Sequence, residues 1–144
     1  MPIYMNYDGI KGSVTSGKYK GWIELQSMQF GGHGNANSAT ANGERRADMP
    51  NISEIVVTKQ QDNSTTDLFY QAVQSAGKKV IIDLVKDPGQ ALYLRIEIEG
   101  TMISNYTSSG SGGDSKAVPM ESLSLNFIKI NFNYTASAPM PKTK

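Results

Sequence analysis

The chain has 144 residues, 14 basic and 13 acidic, for a net charge of +1, and it contains no cysteine. A chain of this length buries roughly two-thirds of its unfolded surface in one domain without covalent staples. The missing cysteine excludes disulfides, thiol catalysis and thiolate metal sites, and such balanced charge gives no concentrated basic face for nucleic acid.

The N-terminal MPIYMNYDGIKG has neither a basic n-region nor an apolar h-region, so no signal peptide is expected. No apolar run is long enough to span a membrane. A first strand is expected over Pro2 to Tyr7. In the next, WIELQSMQF, the apolar phase changes midway: Ile23 and Leu25 give way to Met28 and Phe30. A phase flip marks a β-bulge or a strand whose halves bury different faces. Such strands belong at the corners of barrels and orthogonal sandwiches, or in an oligomer whose second face meets a neighbour.

Gly31 to Pro50 then reads GGHGNANSATANGERRADMP, with Met49 its one apolar residue larger than alanine. A structureless stretch this long inside a compact domain is usually functional or disordered. A strand is expected over Asn51 to Gln60. In STTDLFYQAVQSAGK, Leu68, Phe69, Ala72, Val73 and Ala76 recur at helical spacing, which predicts one helix from about Ser64 to Ala76. Asn63 or Ser64 can cap it, Ser64-x-x-Asp67 resembles a capping box, and Gly77 suits a left-handed C′ position.

Lys79 to Lys86 reads as a strand, and Asp87-Pro88-Gly89 as the turn of a hairpin. LYLRIEIE alternates cleanly, with Leu92, Leu94, Ile96 and Ile98 on one face and Tyr93, Arg95, Glu97 and Glu99 on the other. SNYTSSGSGGDSKAVPM is expected to be a hairpin loop between strong strands. LSLNFIKINFNY changes phase: Leu123, Leu125 and Phe127 share one face, and Ile128, Ile130, Phe132 and Tyr134 the other. Residues 136–144 read as a flexible tail after a single domain over residues 1–135. The whole is mainly β with one inserted helix.

Catalytic signals are weak. His33 is the single histidine, in a glycine-rich loop with no nucleophile motif around it. A metal site would need carboxylates alone. Glu97 and Glu99 have the i, i+2 spacing of a carboxylate pair, but with Arg95 beside them a charge ladder on a strand face is the simpler reading. The glycine-rich GGHG and GSGG fit no phosphate-cradling pattern. Tyr19, Trp22 and Phe30 offer a carbohydrate-stacking face, against the commoner role of strand aromatics in a core or interface. No enzyme, metal or cofactor is expected.

Several stretches taken in order resemble the haemolysin-coregulated protein (Hcp) family, the tube protein of bacterial type VI secretion. They are DGIKG, GWIEL and MQFG near the start, then IVVTKQQDNSTTDLFYQAVQSAGK with its V-x-K-x-x-D turn and single helix. YLRIEIEGTMISNY and SGGDSKAVPMESLSLNFIKINFNY follow. The chain departs from many members in having Ser13-Val14 after Gly12, Tyr19 in place of a histidine, and Thr66 in place of a proline. The resemblance implies a small β-barrel of two antiparallel sheets with one flanking helix. It also implies hexameric rings that stack into a tube and are expelled by a contracting sheath behind a spike, with effector proteins held in the lumen. It implies further no catalysis, no nucleic-acid partner and no membrane insertion. The protein would be made in the cytoplasm without a signal peptide and secreted.

On this resemblance Gly31 to Pro50 matches a loop that projects to the adjacent ring, with His33, Asn35, Asn37, Glu44, Arg45, Arg46 and Asp48 as its contact residues. Arg95, Glu97 and Glu99 would face the lumen or a neighbouring subunit. Two alternatives stay open: a contractile phage tail-tube subunit, and a monomeric β-sandwich binding module that takes glycans through Trp22 and Tyr19.

Overall fold

The computed structural model describes residues 1–15, 17–30, 32–33, 51–52, 54–74, 76–86, 91–110, 112 and 118–135. In chain order the strands are β1 (Ile3–Tyr7), β2 (Ile23–Leu25), β3 (Ser27–Gln29), β4 (Gly32–His33), β5 (Asn51–Ile52) and β6 (Ile55–Gln60). The helix α1 (Thr65–Gln74) follows, then β7 (Lys78–Lys86), β8 (Ala91–Ser109), β9 (Met120–Asn126) and β10 (Lys129–Tyr134). A 3₁₀ turn occupies Gly17–Tyr19.

Strand β8 is 19 residues long and serves two antiparallel sheets. Its first half pairs with β7 and β10, from Leu94↔Tyr134 to Glu99↔Lys129 on the β10 side. Its second half pairs with β9, from Met102↔Asn126 to Ser109↔Met120. The switch falls at Gly100, where φ is +64°, and a register shift follows between Ile103 and Asn105. A Cβ on Gly100 would lie 2.7 Å from Cδ1 of the exposed Ile128 side chain, which is free to shift, so it is the backbone angle that requires glycine.

The two phase flips fall where the chain passes between the sheets, one beside Gly100, where the Ile128 N–H donates to the Glu99 carbonyl at 2.9 Å, and one at Gln26. Leu123 and Leu125 are buried in the second sheet through β9, and Ile130 and Phe132 belong to the first through β10. Likewise β2 pairs with β1 and β3 pairs with β6, separated by Gln26, whose N–H donates to the Thr58 carbonyl at 2.7 Å. The hydrogen-bonded order is β2-β1-β7-β8-β9-β6-β3, with β10 beside β8. Hydrogen bonds do not close this path, and its two ends are joined by the chain itself at Gln26. The mainly β, antiparallel architecture with one helix is as expected, while among the described residues the sheet is not closed into a barrel.

The core lies between the sheets. Ile23, Met5, Ile82 and Ile96 form one cross-strand row on the inner face of the first sheet, all buried. Ile55, Val57, Leu123 and Leu125 line the second, and Leu68 of α1 closes the core between them.

Two local expectations are corrected. The helix is capped not by Asn63 or by a Ser64–Asp67 box but by Asp62. Its Oδ1 accepts the Ser64 N–H at 2.8 Å, and its own N–H donates to Thr65 Oγ1 at 3.0 Å. This is the same reciprocal box set two residues earlier, because Asp62 is held by a buried lysine. Gly77 does not take a positive φ. Its role is close packing, since a Cβ there would sit 3.2 Å from Cα of Gly100. The Asp87-Pro88-Gly89 turn lies outside the described residues, and Lys86 pairs with Ala91 across it as a hairpin requires.

Candidate assembly surface

The outer face of the first sheet carries a polar row running Glu24, Tyr4, Asp83, Arg95 and Asn133 across five strands. Arg95 donates to Asp83 through two bonds, Nε to Oδ1 at 2.8 Å and a terminal nitrogen to Oδ2 at 2.7 Å. The Tyr19 hydroxyl donates to the same Oδ2 at 2.8 Å. Tyr19 stacks on Tyr4 with centroids 4.7 Å apart and meets Trp22 edge-on at 4.8 Å, which buries Asp83 completely. Burial, reinforced by the hydrogen bond to Asp83, pushes the Tyr19 hydroxyl far above its ordinary range. The hydrogen bond to Asp83 raises Arg95, against the opposing effect of burial.

This geometry sorts the charges expected on β8. Arg95 is held by Asp83 within its own chain. Glu97 is half-buried opposite Ile81 and Asn131, and Glu99 is exposed opposite Lys129. It also dissolves the proposed aromatic face. Tyr19 is buried under its neighbours, and Phe30 lies elsewhere, edge-on to Phe132 with centroids 5.0 Å apart.

A second polar cluster, absent from the expectations above, moors the helix. Lys59 Nζ lies 2.7 Å from Glu121 Oε1 and 2.9 Å from Asp62 Oδ1, and both the lysine and Glu121 side chains are fully buried. The Tyr106 hydroxyl donates to Glu121 Oε2 at 2.5 Å, and Ser64 Oγ donates to Asp62 Oδ1 at 2.6 Å. Burial alone would raise Asp62, but the hydrogen bonds from Ser64 and Lys59 outweigh it and hold the carboxyl below its usual value. Burial and the bond to Glu121 push Tyr106 up to about 12. The signal was present in the sequence. Lys59 continues the inner parity of Ile55 and Val57, and Glu121 that of Leu123 and Leu125. A charge on the buried face of each of two paired strands demands a partner.

Beyond these clusters the described surface carries apolar groups without cover. On α1, Phe69, Tyr70 and Val73 are 48, 54 and 64 % exposed. On β10, Phe132 and Tyr134 are 49 and 65 % exposed, and Ile128 at the corner is 85 % exposed. At the root of the long loop, Gly32 pairs with Ile52 and His33 with Asn51, so its two arms leave the second sheet as a paired ribbon. Asn35, Asn37, Glu44, Arg45, Arg46 and Asp48 lie outside the described residues.

The sequence of this chain is matched over residues 4–134 by a family model described as "Type VI secretion system effector, Hcp". The chain belongs to the Hcp family. Among solved structures it is similar to a type six secretion system protein, with a TM-score of 0.82 and 21 % identity over 92 % of this chain and 83 % of the other. It is similar to Hcp1 from Salmonella typhimurium, with a TM-score of 0.78 and 20 % identity over 96 % and 89 % of the two chains. A type VI secretion system effector from Yersinia pestis gives 0.73 and 19 % over 92 % and 88 %. No curated protein sequence matches the chain. At these identities the structures attest the fold, and the family match places this Hcp chain in type VI secretion.

Proposed function

We propose that the protein is a structural subunit of the type VI secretion inner tube. It assembles as hexameric rings, the rings stack, and the tube is driven out of the cell by sheath contraction behind a spike. The ring lumen holds effector proteins, and the chain itself catalyses nothing. The observation that carries this reading is the family match over residues 4–134 together with the Hcp-like fold. The uncovered apolar side chains of α1 and β10 support it, since exposed apolar patches mark association sites.

In this reading residues 1–135 are one domain and 136–144 a tail. The loop from Gly31 to Pro50 contacts the adjacent ring through His33, Asn35, Asn37, Glu44, Arg45, Arg46 and Asp48. Glu97 and Glu99 face the lumen or a neighbouring subunit, and Arg95 lies between them and Asp83. Native mass spectrometry of the purified protein tests the ring: six copies are expected, and a monomer at every concentration refutes it. Deleting Asn35 to Asn42 is expected to leave the ring intact and to weaken stacking and export. The protein is expected in culture medium only when the secretion apparatus is intact.

A further inference from the structure

We infer that the exposed face of α1 in one copy covers the free edge of β10 in the next copy. The inference rests on the ring reading and specifies which surfaces meet within it.

Two features of β10 call for a cover. The strand pairs with β8 alone among the described residues, so its other edge presents unpaired backbone groups. Such edges are blunted in stable proteins by proline, charge, a bulge or an overlying helix. The sequence KINFNY contains no proline, its pairing with β8 is regular, and its single charge is Lys129 at the start. Phe132 and Tyr134 stand half or more exposed beside that edge.

Helix α1 has the matching deficit. A surface helix ordinarily turns a polar face outward. Here Phe69 and Val73, four residues apart, and Tyr70, three before Val73, make one exposed apolar stripe. The helix carries a single charge, Asp67, three residues before Tyr70. On β10 the single charge is Lys129, three residues before Phe132. Each patch is thus mainly aromatic with one charge, and the two charges are opposite.

Both patches are seated before they meet. Phe69 rests edge-on against Tyr106 with centroids 5.8 Å apart, and Tyr106 is tied to Glu121. Phe132 rests against Phe30. Ordering that is already complete in the free subunit is not lost on association. Two different patches on one chain also meet a symmetry requirement. A contact between unlike surfaces can close into a ring, whereas a contact between like surfaces stops at a dimer.

The absence of native cysteine makes the pairing directly testable. Val73→Cys and Phe132→Cys are prepared singly and together, and treated with a short bismaleimide cross-linker. Neither single variant is expected to cross-link alone, while an equimolar mixture forms covalent dimers. The double variant is expected to give a ladder ending in a closed covalent ring. Cross-linking within either single variant, or none in the mixture while native mass spectrometry shows rings, overturns the pairing and leaves the ring reading standing. A wild-type chain that is monomeric overturns both. Charge exchange supplies an independent readout. Asp67→Lys and Lys129→Asp should each raise the concentration needed for half-assembly several-fold, and the double exchange should restore it. Failure of that rescue also counts against the pairing.

Discussion

Removing the buried lysine of the helix mooring should be among the most damaging single changes in the protein. In Lys59→Met the side-chain volume is nearly kept, but Glu121 and Asp62 lose their shared cation. Both Lys59 and Glu121 are fully buried, so water cannot take the lysine's place. Breaking a buried ion pair by removing one partner costs about 3–5 kcal/mol. That is a large part of the roughly 5–15 kcal/mol that holds a domain together. For a domain of this length it corresponds to a fall in Tm of roughly 10–20 °C. Glu121→Leu alone should cost a similar amount, because it strands the lysine and deprives the Tyr106 hydroxyl of its acceptor. The double variant Lys59→Met/Glu121→Leu should cost less than either single change, since no fully buried charge is left unpaired and Asp62, which loses its lysine, is partly exposed and keeps its bonds from Ser64. Urea unfolding followed by the fluorescence of Trp22, the one tryptophan, measures all three at fixed protein concentration. A Lys59→Met loss below about 1 kcal/mol, or a double-variant loss equal to the sum of the singles, would refute the reasoning.

Gly100→Ala should cost about 1–3 kcal/mol from the positive φ alone. Adding Ile128→Ala should recover little of that loss, measured by the same unfolding curves, because the exposed Ile128 side chain can already move aside. Stability should also fall at both ends of the pH range. Asp62 is held below its unfolded value, so its contribution is complete above the ordinary carboxylate range and is lost as pH falls through the lowered value. Tyr7 and Tyr106 are each pushed from 10.0 up to about 12, so stability should drop as pH rises from the unfolded value through that interval. Tyr106→Phe should flatten part of the alkaline slope of the urea midpoint, and an unchanged slope would remove Tyr106 from the account.

The strands and the mainly β class were legible because period-2 alternation is strong in this chain, whereas the two-sheet barrel came from the resemblance. LYLRIEIE places Ile96 and Ile98 in the core as its pattern demands. The phase flips at Gln26 and at Phe127-Ile128 were legible as corners, although not which sheet each half joined. That depends on long-range pairing, such as Ile55 with Leu125, which no local pattern encodes. The partners of the charged side chains were not legible, for a related reason. Arg95 reads as outward and free, yet its partner Asp83 comes from the neighbouring strand and is covered by Tyr19, which is 64 residues away. Asn63 and Ser64 look like good caps locally, and Asp62 displaces them because Lys59 and Glu121 fix it from another sheet position. The loop residues from Asn35 to Asp48 carried no periodicity, and their contacts rest on resemblance rather than on pattern.

The two polar clusters hold the parts of the fold that the core does not reach. The apolar rows bind sheet to sheet, but they are non-directional and would tolerate small slides. Asp83 fastens the 3₁₀ turn of Tyr19 and strand β8 to one carboxylate, and Lys59 fastens β6, β9 and the start of α1 to one ammonium. A buried ion pair often adds little net stability over an apolar replacement, and fixing a register is its best-attested use. In the proposed ring that use has a consequence. A head-to-tail contact closes only when each copy presents its two patches at a set angle, and a drift of the helix would open the ring into a helix of subunits. The isosteric double variant at Lys59 and Glu121 separates stability from angle. If it folds stably yet gives open or uneven oligomers by native mass spectrometry, the cluster sets geometry. If it gives closed six-membered rings, the cluster serves only the fold of the single chain.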